Sequence, residues 1–247
     1  MRPLVVIPYI TGPAQGCELE LAVAGWRMHF KSPYKLVIVG DRPRFEMLPG
    51  EVWIPCPQVP PIGGQYMPHI DIAHKFCAAL ERYPRTVDMI YACDDMYAVK
   101  DFTLDDVKIP KCSSRRVRHF DWWREGGWLG DLGKTVDALE KYNLPQGNYV
   151  CHLPVYYYAQ RLLDYIDYFN AQEESYILEN LYYNHYCAEN NIVPELVLQK
   201  GSRWKYEVLT ASPGIRSAEE AKAVWITNGN CGWSDELEQL LREHYRL

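Results

Sequence analysis

The stretch Asp88-Met89-Ile90-Tyr91-Ala92-Cys93-Asp94-Asp95-Met96-Tyr97 decides the fold prediction. Its apolar run from Met89 to Cys93 leads directly into two adjacent aspartates, which is typical of a buried strand that ends at Asp94 and Asp95. Ligands of open α/β sheets bind beyond the carboxyl ends of the strands, so both carboxylates can face one crevice. Together they can hold a hard divalent cation that also takes oxygen ligands from a diphosphate. The alternative is a solvated turn, because Asp is a favoured turn residue.

Strands and helices alternate in the residues that precede this stretch. The β-branched run 4–7 and the apolar run 35–39 predict buried strands, and residues 18–30 between them carry apolar side chains at helical spacing. Residues 51–54 predict a third strand and residues 71–82 a further helix, with a long loop rich in Pro and Gly between them. Strand, helix, strand is the opening of a parallel sheet.

Helices dominate the residues that follow the stretch. Apolar spacing predicts helices over 155–169 and 176–189, a short strand over 224–226 and a last helix capped by Ser234. Ser217 and Glu220 form the pattern of a capping box. No internal repeat or linker interrupts the chain, so we expect one α/β domain over residues 1–247.

Composition and charge narrow the class of protein. The 247 residues are 48% hydrophobic and 23% charged, which is the balance of a globular chain. A net charge of −6 disfavours a general nucleic-acid coat protein, since such a role needs a broadly basic surface. The 8 cysteines contain no C-x-x-C pair, so they predict neither a zinc ribbon nor a disulfide framework. No apolar run is long enough for a membrane span, and we expect a cytoplasmic protein.

The acidic stretch resembles the corresponding segment of GT-A nucleotide-sugar transferases, and more closely the N-D-D-M-F segment of the Stealth sugar-phosphotransferases. Further segments are similar to this family in the same order along the chain. They are Glu18-Leu-Glu-Leu-Ala22, Lys35-Leu-Val-Ile-Val-Gly-Asp41, His152-Leu-Pro154, Asn180-Leu-Tyr-Tyr-Asn-His-Tyr186 and Val224-Trp-Ile-Thr-Asn-Gly-Asn230. The resemblance covers most of the chain, although each motif is short.

The resemblance implies a GT-A-like, Rossmann-type mixed sheet flanked by helices. Residues 1–105 would form the half that binds a nucleotide-diphosphate sugar, and residues 106–247 the acceptor side. A divalent metal, Mn or Mg, would be held by Asp94 and Asp95, with His152 as a further ligand. The residues that would contact the nucleotide-sugar donor are Pro8, Tyr9, Asp41, Lys75 and Asp94.

Three residues are candidates for proton transfer. His152 precedes Pro154, and a neutral imidazole there can take a proton from an acceptor hydroxyl near neutral pH. The alternative for His152 is a structural histidine bonded to backbone. Glu173 and Glu174 can supply a general base, although the start of a helix attracts acidic residues for dipole reasons alone.

A basic segment rich in aromatic residues, 108–128, carries a local charge of +4 in a chain of net −6. Its candidate acceptor-binding residues are Arg115, Arg116, Arg118, Trp122 and Trp123. Such a mixture suits a phosphate-bearing glycan or a nucleic acid as acceptor. A solvated charged loop is the alternative.

The sequence therefore predicts a metal-dependent glycosyltransferase that moves a sugar from a nucleotide-diphosphate sugar to an acceptor. A Stealth-like sugar-1-phosphate transferase is the first alternative. A non-catalytic protein that binds nucleic acid or nucleotide through the basic segment is the second.

Overall fold

The computed structural model describes residues 2–114, 116–117, 127–197, 203–207, 223–228 and 232–247. The helices are α1 Glu18–His29, α2 Pro68–Arg82, α3 Leu104–Lys108, α4 Gly127–Lys141, α5 Ala159–Tyr168, α6 Leu178–Glu189 and α7 Asp235–Tyr245. The strands are β1 Leu4–Tyr9, β2 Lys35–Gly40, β3 Val52–Pro55, β4 Asp88–Tyr91, β5 Met96–Ala98, β6 Lys111–Cys112, β7 Val155–Tyr158, β8 Glu195–Leu196, β9 Lys205–Glu207 and β10 Trp225–Thr227.

The main sheet has five strands in the order β3-β2-β1-β4-β7. Strands β3, β2, β1 and β4 pair in parallel, and β7 pairs antiparallel with β4 at the edge. The chain moves outward from β1 to β2 and β3 and then returns to the other side of β1 for β4. A reversal of this kind opens a crevice at the carboxyl ends of β1 and β4, where the ligands of such sheets bind.

Helices cover both faces of this sheet, because alternate residues of each strand point to opposite sides. Val5 and Ile7 of β1 pack in one cluster with Trp26 of α1. Leu4 and Val6 pack in the other cluster with side chains of α2, α5 and α6. The fold is thus the mixed α/β sheet flanked by helices that the sequence predicts, and the residues before the acidic pair confirm the parallel βαβ opening.

A second sheet brings the end of the chain back to its beginning. Strand β10 pairs antiparallel with β5 and parallel with β9. Helix α7 packs on α1, with Leu241 and Tyr245 buried beside Leu21. The Tyr245 hydroxyl donates to the Ala98 carbonyl at 2.8 Å, which fixes α7 to the strand that follows the acidic pair.

One predicted helix was wrong in its first turn. The apolar spacing predicts a helix over 155–169, whereas residues Val155–Tyr158 form β7 and the helix begins at Ala159. These four residues pair with β4, so sheet hydrogen bonds override the helical spacing. Helix α2 begins at Pro68, three residues before the predicted start, because Pro suits the first helical turn. Ser217 and Glu220 lie outside the described residues.

Gly40 ends β2 in a conformation that only glycine adopts without strain. Its φ is 131°, and a Cβ atom there would lie 2.0 Å from the Tyr9 carbonyl oxygen. The close approach lets Asp41 donate its backbone N–H to that carbonyl at 3.1 Å. The ends of β1 and β2 are therefore held together at the crevice. Within the described part of the chain, no helix is both long and apolar enough to cross a membrane.

Candidate functional site

Asp94 and Asp95 form a tight turn between β4 and β5, at the carboxyl edge of the main sheet. Backbone pairing with β1 continues one residue past β4, since Ala92 donates to the Val6 carbonyl at 3.0 Å. The two aspartates follow where this pairing ends. The two aspartates therefore lie at the crevice that the strand order creates.

Negative charge is concentrated at this turn. The pKa of the Asp94 carboxyl is raised to about 7, first by burial and then by the neighbouring charges of Asp95 and Glu18. Burial also raises the pKa of Glu18, with a smaller contribution from Asp95. Asp95 and Glu18 thus disfavour the ionisation of Asp94, and a cation at the turn would relieve that repulsion.

The chemistry of these side chains fits a hard divalent cation. Carboxylate oxygens are the ligands that Mg²⁺ and Mn²⁺ prefer. Among the described residues, no group of three or more His, Cys, Asp or Glu side chains is arranged to hold a metal ion. Asp94 and Asp95 therefore suit an ion that takes its remaining ligands from a diphosphate and water, as Mg²⁺ commonly does.

Glu18 belongs to this site, although the sequence placed it only in a helix and in a segment that resembles the Stealth family. Its Oε2 accepts the Gln15 backbone N–H at 2.6 Å, and its Oε1 accepts the Asn228 amide at 2.7 Å. The Tyr97 hydroxyl donates to Asn228 Oδ1 at 2.6 Å. No signal in the sequence relates Glu18 to Asn228, since the contact joins residues 210 positions apart.

His152 lies beside the acidic turn in a strained loop. Its φ of 47° is in the left-handed region, which costs free energy for a residue with a Cβ atom. Its Nδ1 lies 4.0 Å from Asp95 Oδ2, and the side chain is 46% exposed. The His152 imidazole forms no hydrogen bond with the described residues. A structural histidine would need a backbone partner, and the described residues contain none. The short apolar run 149–151 before His152 suggests a strand, but these residues form a loop.

The predicted nucleotide contacts lie at the ends of β1 and β2. Pro8 and Tyr9 end β1, and Asp41 follows Gly40 at the end of β2. Asp41 Oδ2 accepts the Thr11 backbone N–H at 2.8 Å and so orders the loop after β1. Burial raises the pKa of the Tyr9 hydroxyl, and Asp94 contributes, which indicates that Tyr9 faces the acidic turn.

Lys75 lies beneath the crevice and not at its surface. The side chain is fully buried and paired with Asp71 on the same face of α2. Asp71 Oδ1 also accepts the Val59 N–H at 2.9 Å, and its Oδ2 accepts the Tyr66 hydroxyl at 3.4 Å. The pair therefore anchors the loop rich in Pro and Gly. Lys75, a predicted donor contact, is therefore held by a buried partner beneath the crevice.

Glu173 and Glu174 lie in the turn after α5, not at the start of a helix as predicted. Both are exposed, and Glu174 pairs with Lys134 of α4 at 3.0 Å. No described contact joins either residue to Asp94, Asp95 or His152, so their catalytic role stays a prediction.

Glu179 of α6 is a better placed carboxylate that the sequence did not single out. Its charge contributes to raising the pKa of Cys93, after burial and the nearby Asp95, and adds a minor rise at Cys151. These cysteines immediately precede Asp94 and His152. Glu179 therefore lies near the chain segments that carry the acidic turn and His152.

Most of the predicted acceptor residues lie outside the described part of the chain. These are Arg115, Arg118, Trp122 and Trp123. Arg116 is described and exposed. Lys111 of the same basic segment points inward: its ammonium donates to the Ile109 carbonyl at 3.0 Å and lies 4.3 Å from the centre of the Trp204 ring. The segment is thus only partly a solvated surface.

A cavity of about 620 Å³ lies at the opposite edge of the main sheet. It is lined by the starts of β1 and β2, with Arg27 and Glu51 joined there by a 2.6 Å ion pair. None of the predicted site residues lines it. Cavity size therefore does not identify the site in this protein.

This fold, with an acidic turn at the carboxyl edge of its sheet, is that of a glycosyltransferase-like α/β domain. A solved structure similar to the chain is that of WbbM, a bifunctional glycosyltransferase, in its apo form. The TM-score is 0.54 at 11% sequence identity, and the match covers 99% of this chain. It covers 49% of that chain, so this protein spans about half the length of WbbM. No protein-family model and no curated protein sequence matches the chain.

Proposed function

We propose that this protein is a glycosyltransferase that moves a sugar from a nucleotide-diphosphate sugar to an acceptor hydroxyl. The observation that carries the proposal is the acidic turn Asp94-Asp95 at the switch point of a glycosyltransferase-like sheet, with His152 beside it. The donor would lie over the ends of β1 and β2, against Tyr9 and Asp41. Its diphosphate would extend toward the two aspartates.

In the reaction, the bond between the sugar carbon and the diphosphate oxygen breaks, and the electron pair leaves with the nucleotide diphosphate. The acceptor oxygen forms the new bond to that carbon. His152 takes the proton of the acceptor hydroxyl at a ring nitrogen, and Asp95 stabilises the resulting imidazolium from 4.0 Å.

Asp94 and Asp95 would hold the divalent cation, Mn or Mg. When bound, the cation supplies charge neutralisation for the departing diphosphate. Asp94, whose pKa is raised to about 7 by burial and its acidic neighbours, would hold the cation as the carboxylate, and any proton on it would pass to solvent. Glu18 stays behind the turn, where its bonds to Gln15 and Asn228 hold it in place.

The test is incubation of the full chain with a panel of nucleotide sugars and Mn²⁺ or Mg²⁺, with the released nucleotide identified by mass. Release of the nucleoside diphosphate is expected. Release of the monophosphate identifies the Stealth-like sugar-1-phosphate transferase instead. Tight, salt-sensitive oligonucleotide binding with no release identifies a non-catalytic binding protein. Asp95→Asn is the test variant. Asp105→Asn, at an exposed aspartate away from the turn, is its matched control.

A further inference from the structure

The cavity of about 620 Å³ at the amino ends of β1 and β2 is separate from the proposed site of transfer. Lys35 lines it from the first residue of β2, Glu51 from the residue before β3, and Thr86 from the segment between α2 and β4. The acidic turn lies at the other edge of the sheet, beyond the carboxyl end of β4. The volume falls in the range of roughly 300–1,000 Å³ that is usual for small-molecule sites. A ligand here would therefore occupy a second site.

The charges of the lining are unbalanced. Its charged side chains are three cations and one carboxylate, namely Arg2, Arg27, Lys35 and Glu51. Glu51 is already engaged by Arg27: its Oε1 accepts Nε at 2.8 Å, and its Oε2 accepts Nη2 at 2.6 Å. The same Oε2 accepts the Leu48 backbone N–H at 2.8 Å. Three cations less one carboxylate leave the lining with a formal charge of +2, in a chain of net −6.

The two remaining cations, Arg2 and Lys35, are not compensated by a described carboxylate. Within the described ranges, neither residue forms an ion pair. The Lys35 ammonium lies 4.7 Å from the centre of the Tyr83 ring, which also lines the cavity. Such a contact orients the ammonium, but the ring carries no net charge. The formal charge of +2 is therefore available to an anion.

The lining also contains hydrogen-bond donors. Arg27 uses Nε and Nη2 on Glu51 and on the Glu46 carbonyl, whereas its Nη1 forms no hydrogen bond with the described residues. Tyr34, Tyr83 and Thr86 add three hydroxyl groups, and none of these hydroxyls bonds to a described residue. Guanidinium, ammonium and hydroxyl groups together are the donors that bind phosphate oxygens.

The size and charge of the cavity indicate what kind of anion fits. A phosphate monoester carries a charge of about −1.5 to −2 near pH 7, which matches the formal charge of the lining, whereas a carboxylate carries only one charge. The cavity is larger than a phosphate group requires, and Leu36, Leu48 and Pro49 give part of its lining an apolar surface. That part suits the organic group of an ester.

We propose that this cavity is a second ligand site, which binds a small phosphate monoester. Arg2 and Lys35 bind the phosphate, and Arg27 donates to it from Nη1 while Glu51 holds the guanidinium in place. The organic group lies against the apolar side chains that precede β3. The site takes no part in the proposed transfer, so it stands or falls independently of the proposed function.

The experiment measures binding of glucose 6-phosphate and adenosine 5′-monophosphate to the full chain by ligand-observed NMR, without divalent metal. Glucose and adenosine are the uncharged counterparts. At least one ester is expected to bind about tenfold more tightly than its counterpart. Tighter binding of glucose 6-phosphate identifies a sugar phosphate, and tighter binding of adenosine 5′-monophosphate a nucleotide. Inorganic phosphate should bind more weakly than the preferred ester, and equal affinity for it would overturn the assignment to an ester.

Four variants locate the binding, with each fold checked by thermal melting. Lys35→Met and Arg2→Met each remove one cation and should weaken binding of the preferred ester about tenfold. Lys35→Arg keeps the charge and should retain the preference for the ester. Lys108→Met is the matched control and should leave binding unchanged, because the Lys108 ammonium lies in a similar contact, 5.3 Å from the centre of the Tyr156 ring. Equal affinity for the esters and their uncharged counterparts, or a preference that survives Lys35→Met, would overturn the proposal.

Discussion

Asn228 donates its side-chain amide to Oε1 of Glu18 at 2.7 Å and joins the C-terminal strand β10 to the first turn of α1. The same Asn228 accepts the hydroxyl of Tyr97, which lies two residues beyond Asp95. A buried chain of hydrogen bonds therefore supports the acidic turn from behind. Both hydrogen bonds of Asn228 join it to residues that are distant in sequence.

Replacement of Asn228 should show how much this support contributes. Asn228→Ala leaves the Tyr97 hydroxyl and Glu18 Oε1 buried without this partner, so the free energy of unfolding should fall by about 2–3 kcal/mol. Tyr97→Phe removes only one hydroxyl and should cost about 1 kcal/mol. Urea unfolding of both variants and of the double variant is the measurement. If the loss of unfolding free energy in the double variant equals the sum of the two single losses, the two hydrogen bonds are independent and do not form a connected chain.

Asp95→Asn should abolish transfer while the apo protein keeps its melting temperature or gains a few degrees. The change removes a proposed metal ligand, and it also relieves repulsion on Asp94, whose raised pKa reflects burial and this neighbour. Nucleotide release and thermal melting are measured on the same preparation. Undiminished metal-dependent turnover in Asp95→Asn would refute the assignment, and Asp105→Asn should behave as wild type.

His152→Ala should lower turnover by about 10²–10⁴-fold if the imidazole takes the acceptor proton. Donor affinity should then change little, because the lost interaction belongs to the transition state. A metal ligand would behave differently, since its loss would lower donor affinity and turnover together. Steady-state kinetics with varied donor separates the two roles, and no change in either quantity would establish a structural histidine.

The backbone at His152 allows a test that is independent of catalysis. At a φ of 47° a Cβ atom is unfavourable, so His152→Gly should be more stable than His152→Ala by about 1 kcal/mol. The control is His74 inside α2, where the order should reverse because Gly costs about 1 kcal/mol relative to Ala in a helix. The free energy of unfolding of the four variants is measured by chemical denaturation. If Gly and Ala rank in the same order of stability at both positions, strain at His152 is excluded.

Lys111 should give the protein a distinctive alkaline stability profile. Burial lowers the pKa of its ammonium to about 8 in the folded protein, against an ordinary value of 10.5, and Glu195 and Asp106 oppose that shift. Between these values the unfolded chain binds more protons, so stability should rise with pH through this window. Relative to Lys111→Met, wild type should gain roughly 2 kcal/mol between pH 7.5 and about 10.

The measurement is urea unfolding of wild type and Lys111→Met at several pH values. Comparison with the variant cancels the contribution of the buried tyrosines, whose raised pKa values act in the opposite direction above pH ~10. Lys108→Met, at an exposed lysine in the same segment, is the control and should follow wild type. A difference between wild type and Lys111→Met that does not change with pH would show that the ammonium is solvated.

The sequence by itself determined the parallel core and the acidic turn. Continuous apolar strands such as Leu4–Tyr9 must be covered on both faces, which requires helices on both sides of the sheet. The apolar run that ends at Asp94 and Asp95 places these residues where a strand leaves the sheet. Local patterns encode such features because they depend on neighbours along the chain. The first turn predicted for 155–169 was wrong because Val155 pairs with Tyr91, a partner that local spacing does not reveal.

Only the tertiary structure decided which side chains meet at the turn. Glu18 lies in α1 and Asn228 follows β10, and no periodicity relates either residue to Asp94. Lys75, a candidate donor contact in the sequence, is instead buried on Asp71, because the loop before α2 folds over it. Burial and contact between distant segments follow from how the elements pack, and that packing is specified by the whole core and not by any one motif.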